Sequence, residues 1–108
     1  QVTAVFPKLG GLKVGASVEI AGVEVGRVKS LSLDDNYQAS VVLDINNDVK
    51  LQDDSIASIK TKGLLGEKYV DILPGGEDEI IEDGGKIQDT EPPIDLEELI
   101  AKYIFGKV

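Results

Sequence analysis

The side chains available for chemistry in this sequence are almost all carboxylates. Twenty Asp and Glu stand against 11 Lys and Arg, with no His and no Cys. The densest groups are Asp53-Asp54, Glu77-Asp78-Glu79 and Glu82-Asp83. A two-carboxylate hydrolase needs such residues converging on a cleft, with one proton retained by burial. Here they fall in Gly-flanked loops, where adjacent carboxylates point to water, and no enzyme is expected. Residues 74–85 offer oxygen atoms to calcium, but their spacing does not fit an EF-hand loop. Without Cys or His there is no disulfide framework, no thiolate nucleophile and no Cys or His ligand for zinc. Gly10-Gly11, Gly75-Gly76 and Gly84-Gly85 are turn glycines rather than phosphate loops, because no Gly-Lys-Ser/Thr follows and no long helix starts there. No cofactor is implied.

Two apolar segments carry more information. Gly63-Leu64-Leu65-Gly66 sets two large side chains between glycines, in a connection between strand-like runs. On an ordinary surface loop they would be a liability. Either they tuck under the fold as a plug, or they face something apolar, a partner or a lipid. In the tail, Leu96, Leu99, Ile100, Tyr103 and Ile104 recur at helical spacing and form one stripe, with Phe105 beside it. Asp95 and Glu98 have N-cap and N3 spacing, Ile94 and Leu99 can form a hydrophobic staple, and Gly106 suits a C-cap. A helix this short is marginal in water unless its stripe is covered, either by its own domain or by other copies of the chain.

The elements that position these segments are strands. A chain of 108 residues with 42% hydrophobic content fits one domain whose core is Val, Ile and Leu, since there are five aromatics and no Trp. Short strands are expected at Val2–Phe6, Val18–Ile20, Val23–Leu33, Tyr37–Ile45, Ser55–Thr61, Lys68–Leu73 and Lys86–Asp89, seven in all. Asp34-Asp35-Asn36 marks a hairpin turn, and a bulge near Gly26-Arg27 would reconcile the facing of Val25, Val28 and Leu31. Pro92-Pro93 closes the β region, giving a β domain over residues 1–91 and a helical tail over 92–108.

The net charge of −9 is the wrong sign for a nucleic acid partner and for anionic membrane surfaces, so any lipid contact should be apolar. No apolar run reaches the length of a membrane span. With no Met and a first residue already next to a strand, the sequence reads as part of a longer protein.

The stretches Gly11-Leu12-Lys13-Val14-Gly15, Val18-Glu19-Ile20-Ala21-Gly22-Val23-Glu24-Val25-Gly26-Arg27-Val28, Ser58-Ile59-Lys60-Thr61-Lys62-Gly63-Leu64-Leu65-Gly66-Glu67-Lys68-Tyr69 and Gly84-Gly85-Lys86-Ile87-Gln88-Asp89-Thr90 together resemble the MCE (mammalian cell entry) domain family. The likeness continues into Leu96-Glu97-Glu98-Leu99-Ile100 and suggests the MlaD-type subunit. It implies a small seven-stranded β-barrel followed by one amphipathic C-terminal helix, assembled as a homohexameric ring around a pore. It also implies an inner-membrane anchor N-terminal to this segment, a periplasmic ring, an ABC permease and ATPase as partners, and phospholipid passed to soluble periplasmic carriers. By the same resemblance Leu64 and Leu65 line the pore, with Gly63 and Gly66 as loop hinges. Leu96, Leu99, Ile100, Tyr103 and Phe105 extend the apolar passage. The rival reading is an acidic β-module that binds a protein partner through Leu64-Leu65 and the helix, without lipid.

Overall fold

The computed structural model describes residues 1–94 and 96–105, apart from the Phe105 side chain. Eight strands form one sheet: β1 (Val2–Phe6), β2 (Ser17–Ile20), β3 (Val23–Leu33), β4 (Ala39–Ile45), β5 (Ile56–Thr61), β6 (Lys68–Leu73), β7 (Gly85–Lys86) and β8 (Asp89–Glu91). One helix, α1 (Leu96–Phe105), follows. The strand order is β7-β1-β4-β3-β2-β6-β5-β8, and the sheet curls into a half-barrel.

The seven expected strands are therefore eight. The run around Lys86–Asp89 divides into β7 and β8 because Ile87, only 1% exposed, turns into the core between them. β7 pairs parallel with β1 at one edge of the sheet, and β8 pairs parallel with β5 at the other. Two consecutive short strands thus occupy both edges. Ile87 N donates to Thr3 O at 2.9 Å, and Thr90 Oγ1 donates to Val5 O at 2.7 Å, so the same segment laces onto β1.

Period-two burial in β1 places Val2, Ala4 and Phe6 inside. They meet Val18, Val28, Val41, Leu43, Val70, Ile72 and Ile87, a core of branched side chains with Phe6 as its aromatic. Burying each large member contributes roughly 1.5–3 kcal/mol. The bulge expected near Gly26-Arg27 is a pair of bulges. Register shifts against β2 between Val18 and Glu19, and against β4 between Val28 and Ser30. The first leaves Val25 buried while Val23 stays exposed, so those two do not share a face. Gly26 is packed so closely on β4 that an added Cβ would lie 2.2 Å from Asp44 O.

Tyr37 does not belong to β4. It sits after an Asx turn in which Asp34 Oδ1 accepts from Asn36 N at 2.8 Å and Gln38 N at 2.9 Å. Its φ of 61° is left-handed, the third loop residue of a hairpin with a terminal bulge, and its ring is exposed.

Candidate functional site

The β5–β6 hairpin positions Leu64 and Leu65. Its register runs from Ile56↔Leu73 to Thr61↔Lys68, and Lys62 N donates to Glu67 O at 2.9 Å to form the neck of the loop. Gly63 has φ 68°, and a Cβ on Gly66 would stand 1.9 Å from Lys62 O, so both flanking positions require glycine. Leu64 and Leu65 are 79% and 85% exposed. They do not tuck under the sheet, and the plug reading fails.

Polar groups fix the base of this loop. Lys62 Nζ lies 2.6 Å from Glu19 Oε2 of β2 and 5.1 Å from the centre of the Tyr69 ring on β6. Ser17 Oγ donates to the same Glu19 oxygen at 3.1 Å. The ammonium of Lys62, ahead of burial, holds the Glu19 carboxyl below its usual range, and Glu19 in turn raises Lys62. Next to them Lys60 pairs with Asp71 at 2.8 Å, and Lys68 Nζ donates to Thr61 Oγ1 at 2.6 Å.

Helix α1 starts from the same end of the sheet. Pro93 is buried against Gly10, where an added Cβ would lie 2.6 Å from the Pro93 ring. Lys8 Nζ lies 3.6 Å from Glu98. Lys8, Gly10, Lys68, Pro93, Ile94 and Leu96 line a cleft of about 200 Å³. A wider cleft of about 440 Å³ runs between residues 10–16 and 66–68. The leucine loop, the first glycine loop and the helix start are thereby neighbours. The apolar stripe of α1 is not laid on its own sheet: Leu96, Leu99 and Ile100 are 43–50% exposed and Tyr103 is 91% exposed. The caps Asp95 and Gly106 and the side chain of Phe105 lie outside the described residues. Among the described residues no helix is long and apolar enough to cross a membrane.

The acidic clusters form a separate region. Asp53, Glu77 and Glu79 can bring one carboxylate oxygen each within 4.8 Å of the others, on a segment where Asp53 N donates to Glu79 O at 2.9 Å. Asp54 accepts from Gly76 N at 2.9 Å and Glu77 N at 3.1 Å, and these amides hold its carboxyl below the usual aspartate range. A general acid needs a shift in the opposite direction.

Sequence reasoning singled out the leucines and the helical stripe as candidates but not the bracket of Glu19, Lys62 and Tyr69. Glu19 and Lys62 are 43 positions apart, and only strand pairing brings them together.

Residues 1–75 match the profile of a family described as MlaD protein. The intermembrane phospholipid transport system binding protein MlaD of Haemophilus influenzae is 41% identical over 110 residues, spanning 97% of this chain and 66% of that protein. The protein of the same name from Escherichia coli K12 is 42% identical over 110 residues, spanning 95% of this chain and 60% of its own length. The chain thus covers less than two thirds of these relatives. Among solved structures, a chain from the Acinetobacter MlaFEDB complex in its ATP-bound Vtrans1 conformation superposes with a TM-score of 0.87 at 26% identity. That match covers 94% of this chain and 79% of the other.

Proposed function

The chain belongs to the MlaD family, and on that premise we propose that it is a non-enzymatic subunit of a phospholipid transport system, passing lipid through an apolar pore. The observation that carries this reading is the pair Leu64 and Leu65, held 79% and 85% exposed on a loop whose backbone is fixed at both ends. A loop anchored at its neck that presents two leucines to water is suited to apolar contact. A ring of six copies would bring these loops together at one axis. It would also give the stripe Leu96, Leu99, Ile100 and Tyr103, and with it Phe105, a shared lumen. Gly63 and Gly66 bound the loop on either side. Residues 1–91 form the wall and 92–108 the extension of the passage. Acyl chains are retained by burial worth roughly 0.8 kcal/mol per CH₂, so such a pore holds lipid without charged residues.

Relatives named as phospholipid transport binding proteins, and the likeness to a chain of the MlaFEDB complex, support a place in such a transport system. The ring stands in the periplasm, anchored in the inner membrane by a segment N-terminal to these residues. It associates with a permease and with an ATPase that supplies the energy, and soluble carriers exchange lipid with the ring.

Native mass spectrometry of the chain, and of the chain shortened after Glu91, tests this reading. A sixfold species of the longer chain carrying added mass equal to phospholipid is expected, with a weaker ring or less lipid after shortening. A monomer that binds protein partners but never lipid would overturn it in favour of an acidic β-module acting through Leu64-Leu65.

A further inference from the structure

We propose that Glu19 is a positioning residue for the leucine loop: from β2 it restrains Lys62, the residue at which the chain leaves β5, and so fixes the direction in which Leu64 and Leu65 point. This inference rests on the pore reading for its consequence and on geometry for its existence.

Lys62 is the structural neck of the loop. Its N–H closes the loop on Glu67 O, and its carbonyl is so close to Gly66 that no Cβ fits between them. Whatever restrains Lys62 therefore restrains both legs of the loop. Its side chain reaches past β6 to β2, because β2 pairs parallel with β6 at Val18↔Val70 and Glu19↔Asp71. Three strands are tied at one ammonium: β5 through the backbone of Lys62, β6 through the Tyr69 ring, and β2 through Glu19.

An exposed ion pair adds little to stability, since solvent screens it and two long side chains lose freedom. This pair differs in one partner. The Glu19 side chain is only 12% exposed, and Ser17 holds the same oxygen that receives Lys62. The carboxylate is thus oriented in advance, and the charge-assisted bond has one geometry rather than many. Glu24, another carboxylate whose charge acts on Lys62, is itself paired with Arg27 at 3.3 Å. The restraint acts on orientation, so thermal stability is the wrong measure of it.

The sequence has no Trp, so Leu65→Trp places a single indole at the loop tip. Time-resolved anisotropy of that indole should report a restricted tip. In the same background Glu19→Gln, which keeps shape and hydrogen-bond acceptance but removes charge, should raise the amplitude of nanosecond depolarisation about twofold, as expected for a segment passing from rigid to flexible. In a Lys62→Met background, Glu19→Gln should add no further motion, because the two side chains act as one restraint. Lipid transfer, measured with Leu65 in place, should fall with Glu19→Gln and with Lys62→Met alike. An indole whose motion is unchanged by Glu19→Gln overturns the proposal. Increased tip motion with unaltered lipid transfer supports the restraint and instead refutes the pore reading on which its consequence depends.

Discussion

Replacing Leu64 and Leu65 together by Asp separates folding from passage most sharply. At 79% and 85% exposure, both side chains already face water in the folded chain. Neither lies in a strand, and the neck bond from Lys62 N to Glu67 O involves backbone atoms alone. Surface substitutions of this kind change stability by about 0.5 kcal/mol or less each. For a domain near 100 residues, a total of about 1 kcal/mol moves Tm by roughly 4–8 °C, which sets the upper limit of the expected shift. Passage should respond on another scale. A leucine that buries itself against an acyl chain contributes roughly 1.5–3 kcal/mol, so each loop loses about 3–6 kcal/mol of contact with lipid. At 1.4 kcal/mol per factor of ten, occupancy of the pore should fall by about a hundredfold or more. Thermal unfolding, combined with transfer of fluorescent phospholipid from donor vesicles, measures both quantities on one preparation. Transfer within a factor of two of the parent chain would refute the argument, and so would collapse of the cooperative unfolding transition.

Two further outcomes follow from other parts of the molecule. Ile87→Ala should cost about 2–5 kcal/mol, since the side chain is 1% exposed between the two edge strands, and denaturant unfolding would show it; a cost under about 1 kcal/mol would mean the edges close without it. Asp54 should titrate below the usual aspartate value of 3.8, because the amides of Gly76 and Glu77 stabilise its charged form. With the folded value depressed, its contribution is complete at neutral pH and disappears as pH falls through the folded value. Carboxyl carbon NMR of the parent chain and Asp54→Asn would read this, and a midpoint at or above 3.8 would contradict the two bonds.

Much of this architecture was legible in the alternation of apolar residues. Lys68–Leu73 is bounded as its pattern suggests, and α1 begins at Leu96, the position after its expected cap. The misses have local causes. Tyr37 continues the odd-numbered series from Ala39 to Ile45, yet the Asx turn at Asp34 forces it into a left-handed conformation that alternation cannot register. β7 and β8 look like one strand because Ile87 keeps an apolar rhythm, whereas that residue turns inward and divides the run between the two edges of the sheet. At the candidate site, the leucines announced themselves because large apolar residues between glycines are out of place on a surface. Glu19 gave no such signal. Its environment is made by the parallel pairing of β2 with β6, a contact between strands that are not consecutive.

The placement of β7 and β8 at opposite edges also orders events in time. The outer edge of β1 receives its partner only when Gly85–Lys86 arrives, and β5 receives Asp89–Glu91 just afterwards. During synthesis, at roughly 5–20 residues per second, the first strand therefore emerges several seconds before the segment that covers it. Pairings so distant in sequence also slow folding. Each margin, once made, stays open to pairing with other chains until one short segment closes both, and β1 waits the longer of the two.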